Sequence, residues 1–133
     1  MYSIDPQQRI LLECAYEALE NSGTPMSQID GRKVGVFIGA APSDYRMANM
    51  RDLDTTPMFD TIGNQEAFLA GRISYFFNLK GPSLTIDTAC SSSLSALHLA
   101  VQSIRTGESE QAIVGASHVN LLPDYWVSMS NLQ

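Results

Sequence analysis

The stretch Leu84-Thr-Ile-Asp-Thr-Ala-Cys90-Ser-Ser-Ser-Leu94 passes from an alternating pattern to a helical one across a tight run of small residues. Ser83 to Thr88 puts Leu84 and Ile86 on one face, which predicts a short strand. Leu94 to Arg105 carries Leu94, Leu97, Leu99, Val101 and Ile104 at helical spacing and predicts a largely buried helix ended by Gly107. Strand, turn and helix in that order form the unit from which layered α/β folds are built.

The alternation continues outward from this unit. Val34-Gly-Val-Phe-Ile-Gly39 is an apolar, partly β-branched run bounded by turn residues, and it predicts a buried strand. Gln111-Ala-Ile-Val-Gly-Ala116 predicts a third. Between the first two, Asn64 to Asn78 spaces Phe68, Leu69, Ile73, Phe76 and Phe77 helically with only Glu66 and Arg72 charged, so a helix buried on most sides is expected. Asp5 to Asn21 has an Asp in the capping position, a Pro at the first helical position and Gly23 to close its end. Its apolar stripe is Leu11, Cys14, Ala15, Ala18 and Leu19, which makes Cys14 a small buried hydrophobe. Ala40 to Thr61 lacks a period and reads as a loop with one helical turn from Ser43, of a length that suits a functional or interfacial role. Pro123 to Leu132 begins another helix. The expectation is an α/β fold with a mainly parallel sheet and buried helices.

A length of 133 residues accommodates one domain. Eight Lys+Arg against fourteen Asp+Glu give a net charge of −6, which offers no electrostatic support for nucleic acid. No run approaches the ~18 apolar residues of a membrane span, and the N-terminus has no basic region followed by an apolar run. Two cysteines, Cys14 and Cys90, are too few for a disulfide scaffold and form no zinc spacing, so a reducing, cytoplasmic setting is expected. The charged fraction of 17% is low beside the usual ~25%, which points to extensive burial within the chain or against something else. Gly31, Gly35 and Gly39 do not have nucleotide-loop spacing, and Gly115-Ala-Ser117-His118-Val119 lacks the second Gly of a serine-hydrolase elbow.

Chemistry is concentrated at Cys90. A thiol at a strand-to-helix junction faces the unpaired N–H groups and positive dipole end of the helix, which favour thiolate, the reactive form. The same N–H groups can hold the oxyanion formed when sulfur attacks an acyl carbonyl. Ala89 and Ser91 are small enough to admit a substrate arm. The alternative is a cysteine that merely packs at a helix start. Of the two histidines, His98 lies eight positions along the same helix, roughly 12 Å away at ~1.5 Å per residue, too far to serve Cys90. His118 follows the third strand and can lie near the carboxyl end of the sheet, where α/β sites gather, or be a structural or rim residue.

Several blocks in order then make the chain resemble the β-ketoacyl synthase (ketosynthase) domain of type I polyketide synthases, thiolase-like in fold. They are Asp5-Pro-Gln-Gln-Arg9, Leu11-Leu-Glu13 and Glu17-Ala-Leu-Glu20, Val36-Phe-Ile-Gly39, Ala70-Gly-Arg-Ile-Ser-Tyr75, Gly81-Pro-Ser83 and Asp87-Thr-Ala-Cys-Ser-Ser-Ser-Leu94. Phe76-Phe77 and Trp126-Val-Ser-Met129 are most similar to fungal multidomain synthases. The resemblance implies that Cys90 is the acyl-accepting nucleophile, with its backbone N–H part of the oxyanion hole. An acyl carrier protein would deliver acyl and malonyl thioesters on its phosphopantetheine arm, no cofactor or metal being held by this segment. Decarboxylation of the malonyl unit and attack on the Cys90 thioester would lengthen the chain by a β-keto unit. The parent enzyme would be a homodimer.

The family's His-Gly-Thr-Gly and Asn-x-Gly-His segments do not occur in these residues, and neither His98 nor His118 matches them. Residues 1–133 are therefore expected to be an interior, partial ketosynthase domain, lacking its start and its C-terminal half, inactive alone and carrying exposed apolar surface. A fatty-acid synthase condensing domain, a chalcone-synthase-like enzyme and a non-catalytic ketosynthase-like partner are the alternatives.

Overall fold

The first helix begins where its cap residue predicts: Asp5 Oδ1 accepts the backbone N–H of Gln7 at 2.8 Å, and α1 runs Pro6–Asn21. The computed structural model describes residues 4–52, 54 and 58–132. Beyond α1, Gly23 adopts a left-handed φ of 71°, the conformation that lets the chain turn away from the helix end. There follow α2 (Met26–Ile29), β1 (Val34–Ala40), α3 (Asp44–Asn49), α4 (Asp60–Asn64), α5 (Ala67–Phe76), β2 (Ser83–Ile86), α6 (Ser92–Arg105), β3 (Gln111–Ser117) and α7 (Asp124–Ser130). The loop expected over 40–61 thus contains α3, capped by the Ser43 hydroxyl as the sequence suggests, and the start of α4; its residues 53 and 55–57 lie outside the described ones.

The three strands form one parallel sheet in the order β2-β1-β3. Val36 pairs with Ser83 on one side of β1 and with Ile113 on the other. The central strand is buried along its whole length, and its side chains divide strictly by parity. Val34, Val36, Ile38 and Ala40 enter a cluster with Leu11 and Ala15 of α1 and Leu69, Ala70 and Ile73 of α5. Phe37, on the opposite face, packs with Ala96 and Ala100 of α6. Parallel strands joined through helices on both faces are the expected layering.

The Asp5-Pro-Gln-Gln-Arg9 block has a structural role. Gln7 and Gln8 are fully buried, Gln8 Nε2 donates to the Ile62 carbonyl at 3.3 Å, and the Asp5 N–H donates to the Gly63 carbonyl at 2.9 Å. Arg72 of α5 joins them, donating to Gln8 Oε1 and to the Ile62 carbonyl. Two motif blocks 64 residues apart thereby tie α1, α4 and α5 together. The Asp5 carboxylate and the Gln8 side chain, which the first turn of α1 takes out of water, are paired, whereas Gln7 Oε1 is buried without a hydrogen-bond partner.

Four expectations about burial are corrected. Cys14 is exposed, because the buried stripe of α1 is Gln7, Gln8, Leu11 and Ala15, and position 14 falls about 75° around the helix from its centre. The helix expected over 64–78 begins at Ala67 after a break at Gln65, and it buries one side only: Leu69, Ala70 and Ile73 are inside while Tyr75 and Phe76 are exposed. On α6 the sheet-facing residues are Ser92, Ala96, Ala100 and Ser103, whereas Leu94, Leu97, Leu99, Val101 and Ile104 are exposed. Small residues occupy the inner stripe because α6 lies almost on the backbone of β1: a Cβ on Gly39 would come within 2.6 Å of the Ser92 carbonyl carbon. Finally β3 is an edge strand and only partly covered, with Val114 exposed on the α6 side.

Candidate active site

Cys90 lies between the end of β2 and the start of α6, in a turn knitted by its own serines and threonine. Ser91 Oγ donates to the Thr88 carbonyl at 2.8 Å, Ser92 Oγ donates to the Ala89 carbonyl at 2.7 Å, and the Thr88 N–H donates to Ser92 Oγ at 2.9 Å. Thr88 and Ser95 hydroxyls are 2.9 Å apart. With Ser91 Oγ turned back to Thr88, no side chain caps the first turn of α6, while the Ser91 and Ser92 N–H groups donate to the Thr88 and Ala89 carbonyls at 3.4 and 3.0 Å. Backbone strain sits one residue before the thiol: Ala89 has φ 55°, a region costing a non-glycine residue about 1–3 kcal/mol. Asp87 holds that conformation by accepting the Ala89 N–H on Oδ1 at 2.9 Å. Gly39 allows the elbow to rest against β1, through the same close approach that selects small residues along α6.

The Cys90 thiol is exposed, and it opens on a cleft of about 810 Å³ at the carboxyl ends of the strands. The cleft is lined by Gly39 to Pro42 after β1, by Ala89, Cys90, Ser92 and Ser93 at the elbow, and by Ala116, Ser117 and His118 at the end of β3. Asp87 after β2, Asp44 and Met47 of α3, and Asp124, Tyr125 and Ser128 of α7 complete it. His118 therefore shares the cleft with Cys90, and its ring meets that of Tyr125 edge to face at 5.3 Å. His98 is exposed on α6 and is not part of the lining. Among the described residues no cluster of three His, Cys, Asp or Glu could hold a metal ion, and no helix is long and apolar enough to cross a membrane.

Residues 1–133 match the family described as β-ketoacyl synthase, N-terminal domain. The chain belongs to the β-ketoacyl synthase family. Its ketosynthase relatives include Highly-reducing polyketide synthase 1 of Aureobasidium melanogenum, 54% identical over 131 residues, covering 98% of this chain and 6% of the relative. The Lovastatin diketide synthase of Aspergillus terreus is 49% identical over 129 residues, covering 97% of this chain and 5% of the relative. Among solved structures, the ketosynthase from module 6 of the bacillaene synthase of Bacillus subtilis 168, in a cysteine-to-serine variant, superposes with a TM-score of 0.84 at 37% identity, over 97% of this chain and 21% of that one. The oxazolomycin ketosynthase domain of Streptomyces albus JA3453 gives a TM-score of 0.85 at 38% identity, over 96% of this chain and 22% of that one. The ketosynthase chain thus spans about a twentieth of the curated synthases it matches and about a fifth of the solved ketosynthases. The thiolase-like layering expected from the motif blocks is the fold of these neighbours.

Two contributors to this ketosynthase site escaped sequence reasoning. The left-handed φ of Ala89 carries no local signal, since alanine is an unusual residue for that conformation. Asp44 falls in the aperiodic stretch 40–61, yet it is buried at the cleft and bonded to the backbone 77 and 78 residues later. A carboxylate directly after a capping serine suits a helix start, and nothing in the sequence separates that use from a long-range one.

Proposed function

We propose that Cys90 is the acyl-accepting nucleophile of a condensing enzyme of the polyketide type. Its thiolate attacks the carbonyl of an acyl thioester carried on the phosphopantetheine arm of an acyl carrier protein. The tetrahedral oxyanion is held by backbone N–H groups at the elbow, that of Cys90 among them, and collapse expels the carrier thiol. Malonyl-carrier thioester then loses carbon dioxide, and the resulting carbanion attacks the Cys90 thioester. The C–S bond breaks, Cys90 leaves as thiolate, and the carrier keeps a β-ketoacyl chain. The observation that carries this reading is an exposed thiol on the strand-to-helix elbow, opening on a cleft large enough for an acyl chain with its arm.

The 133 residues act, in this reading, as the nucleophile-bearing part of a larger ketosynthase domain. The family's decarboxylating histidines are assigned to motifs outside this segment, and His118 is given no part in the chemistry. Homodimerisation of the parent enzyme and a cytoplasmic setting complete the proposal, the latter supported by two exposed free thiols that need a reducing compartment. The test is turnover of acyl- and malonyl-carrier thioesters by the synthase that contains this chain. Cys90→Ala is expected to abolish β-ketoacyl product; undiminished product would overturn the assignment, and an unsubstituted enzyme that never loads an acyl group would favour a non-catalytic partner.

A further inference from the structure

The cleft over Cys90 has a wall contributed by His118, Asp124 and Tyr125 of the segment 118–125, which lies on the far side of β3 from the elbow in sequence, and one buried side chain tethers that segment. Asp44, 7% exposed in the first turn of α3, accepts the backbone N–H of Leu121 at 3.0 Å and that of Leu122 at 3.2 Å, both on Oδ2. Those two residues lead directly through Pro123 into α7, which supplies Asp124 and Tyr125 to the cleft. Tyr125 in turn packs on His118, so the segment is fixed at one end by its ring contact and in the middle by Asp44. Arg51 adds a second, exposed link to Asp124 at 2.8 Å. A bond to an ionised acceptor is stronger than one between neutral groups, and burial removes the competing water, so the carboxylate is the principal tie.

We propose that Asp44 is a positioning residue that holds the 118–125 wall and thereby sets the size of acyl group that reaches Cys90. The inference rests on the reading of Cys90 as the acyl acceptor. Asp44 itself touches no reacting atom in this scheme. Its role is to keep the cleft at one width, so that acyl thioesters of different length are distinguished before the chain is transferred.

The test uses the whole synthase and two readouts. One is amide hydrogen exchange in peptides covering Leu121 and Leu122; the other is the ratio of Cys90 acylation rates with octanoyl and acetyl thioesters. Asp44→Ala is expected to speed exchange in those peptides and to shift the octanoyl-to-acetyl ratio by about tenfold, the scale on which pocket fit discriminates aliphatic groups. Asp44→Asn keeps an oxygen able to accept both N–H groups but loses the charge, and is expected to recover both readouts in part, to values between those of Asp44 and Asp44→Ala. Asp44→Ser, too short to reach both donors, is the milder variant and moves both in the direction of Asp44→Ala. Equal losses with both thioesters, an unchanged ratio, or Asp44→Asn behaving like Asp44→Ala would overturn the inference. Exchange at Leu121 and Leu122 that ignores Asp44→Ala overturns it alone, whereas an unsubstituted enzyme acylated elsewhere than at Cys90 overturns the proposed function as well.

Discussion

The two faces of the sheet are built from the same central strand and finished to different degrees. Toward α1 and α5, Val34, Val36, Ile38 and Ala40 belong to a cluster of twelve buried apolar residues. Toward α6, the buried cluster among the described residues is Phe37, Ala96 and Ala100. The helix that covers this second face turns a stripe of alanine and serine inward and leaves Leu94, Leu97, Val101 and Ile104 at the surface, with Leu94 70% exposed. One face is a closed core; the other is a thin layer whose outer side is apolar again. The elbow that carries Cys90, the proposed nucleophile, belongs to the second face, at the N-terminus of the helix with uncovered leucines.

The sharpest way to break this comparison is to remove the same side chain from each face. Ile73 is 1% exposed and Ile104 45% exposed. In the 133-residue chain kept monomeric by Leu94→Asp and Leu97→Asp, Ile73→Ala is expected to cost about 2–5 kcal/mol and Ile104→Ala less than about 1, read by urea unfolding. Similar losses would mean that the α6 face is as closed as the other. Next in size is Gly39→Ala, which drives a Cβ to within 2.6 Å of the Ser92 backbone. Neither partner is a flexible side chain, so a loss of about 1–3 kcal/mol is expected, together with slower alkylation of Cys90 by iodoacetamide as the elbow shifts. Unaltered stability and alkylation would show that α6 is not seated on Gly39 as described. On the closed face, Asp5→Ala removes the acceptor for the Gln7 N–H and should cost about 1 kcal/mol of stability while leaving Cys90 alkylation alone. The smallest effect is expected at Arg32, whose pair with Glu110 at 2.6 Å is half exposed on both sides; Arg32→Ala should change stability by under about 1 kcal/mol, and less at high salt. The exposed leucines also predict a solution property: the 133-residue chain expressed alone should bind a hydrophobic dye and self-associate, and Leu94→Asp with Leu97→Asp should suppress both. A monomer that unfolds cooperatively without binding dye would contradict that expectation.

Much of the closed face was legible in the sequence. Asp5, Pro6 and Gly23 mark the ends of α1 through local capping chemistry, short apolar runs with turn residues at their borders mark β1 and β3, and alternation marks β2. The strand-to-helix elbow that presents Cys90 was legible for the same reason, since a period of two gives way to helical spacing across small residues. Which side of α6 meets the sheet was not. Hydrophobic periodicity ranks leucine above alanine, but a helix that rests on strand backbone can admit only small side chains there, and that distance is a tertiary fact. Cys14 failed similarly, by lying beside the buried stripe rather than on it. Asp44 was illegible because its partners are main-chain N–H groups of Leu121 and Leu122, which every non-proline residue possesses and no residue type announces.

The central claim, that Cys90 on the α6 face is the residue that receives the acyl group, is tested most directly by incubating the parent synthase with a labelled acyl thioester and mapping the labelled peptide. The account predicts label on the peptide containing Cys90 and none on that peptide after Cys90→Ala. An unsubstituted enzyme that carries no label on that peptide, or label that persists on it after Cys90→Ala, would contradict it.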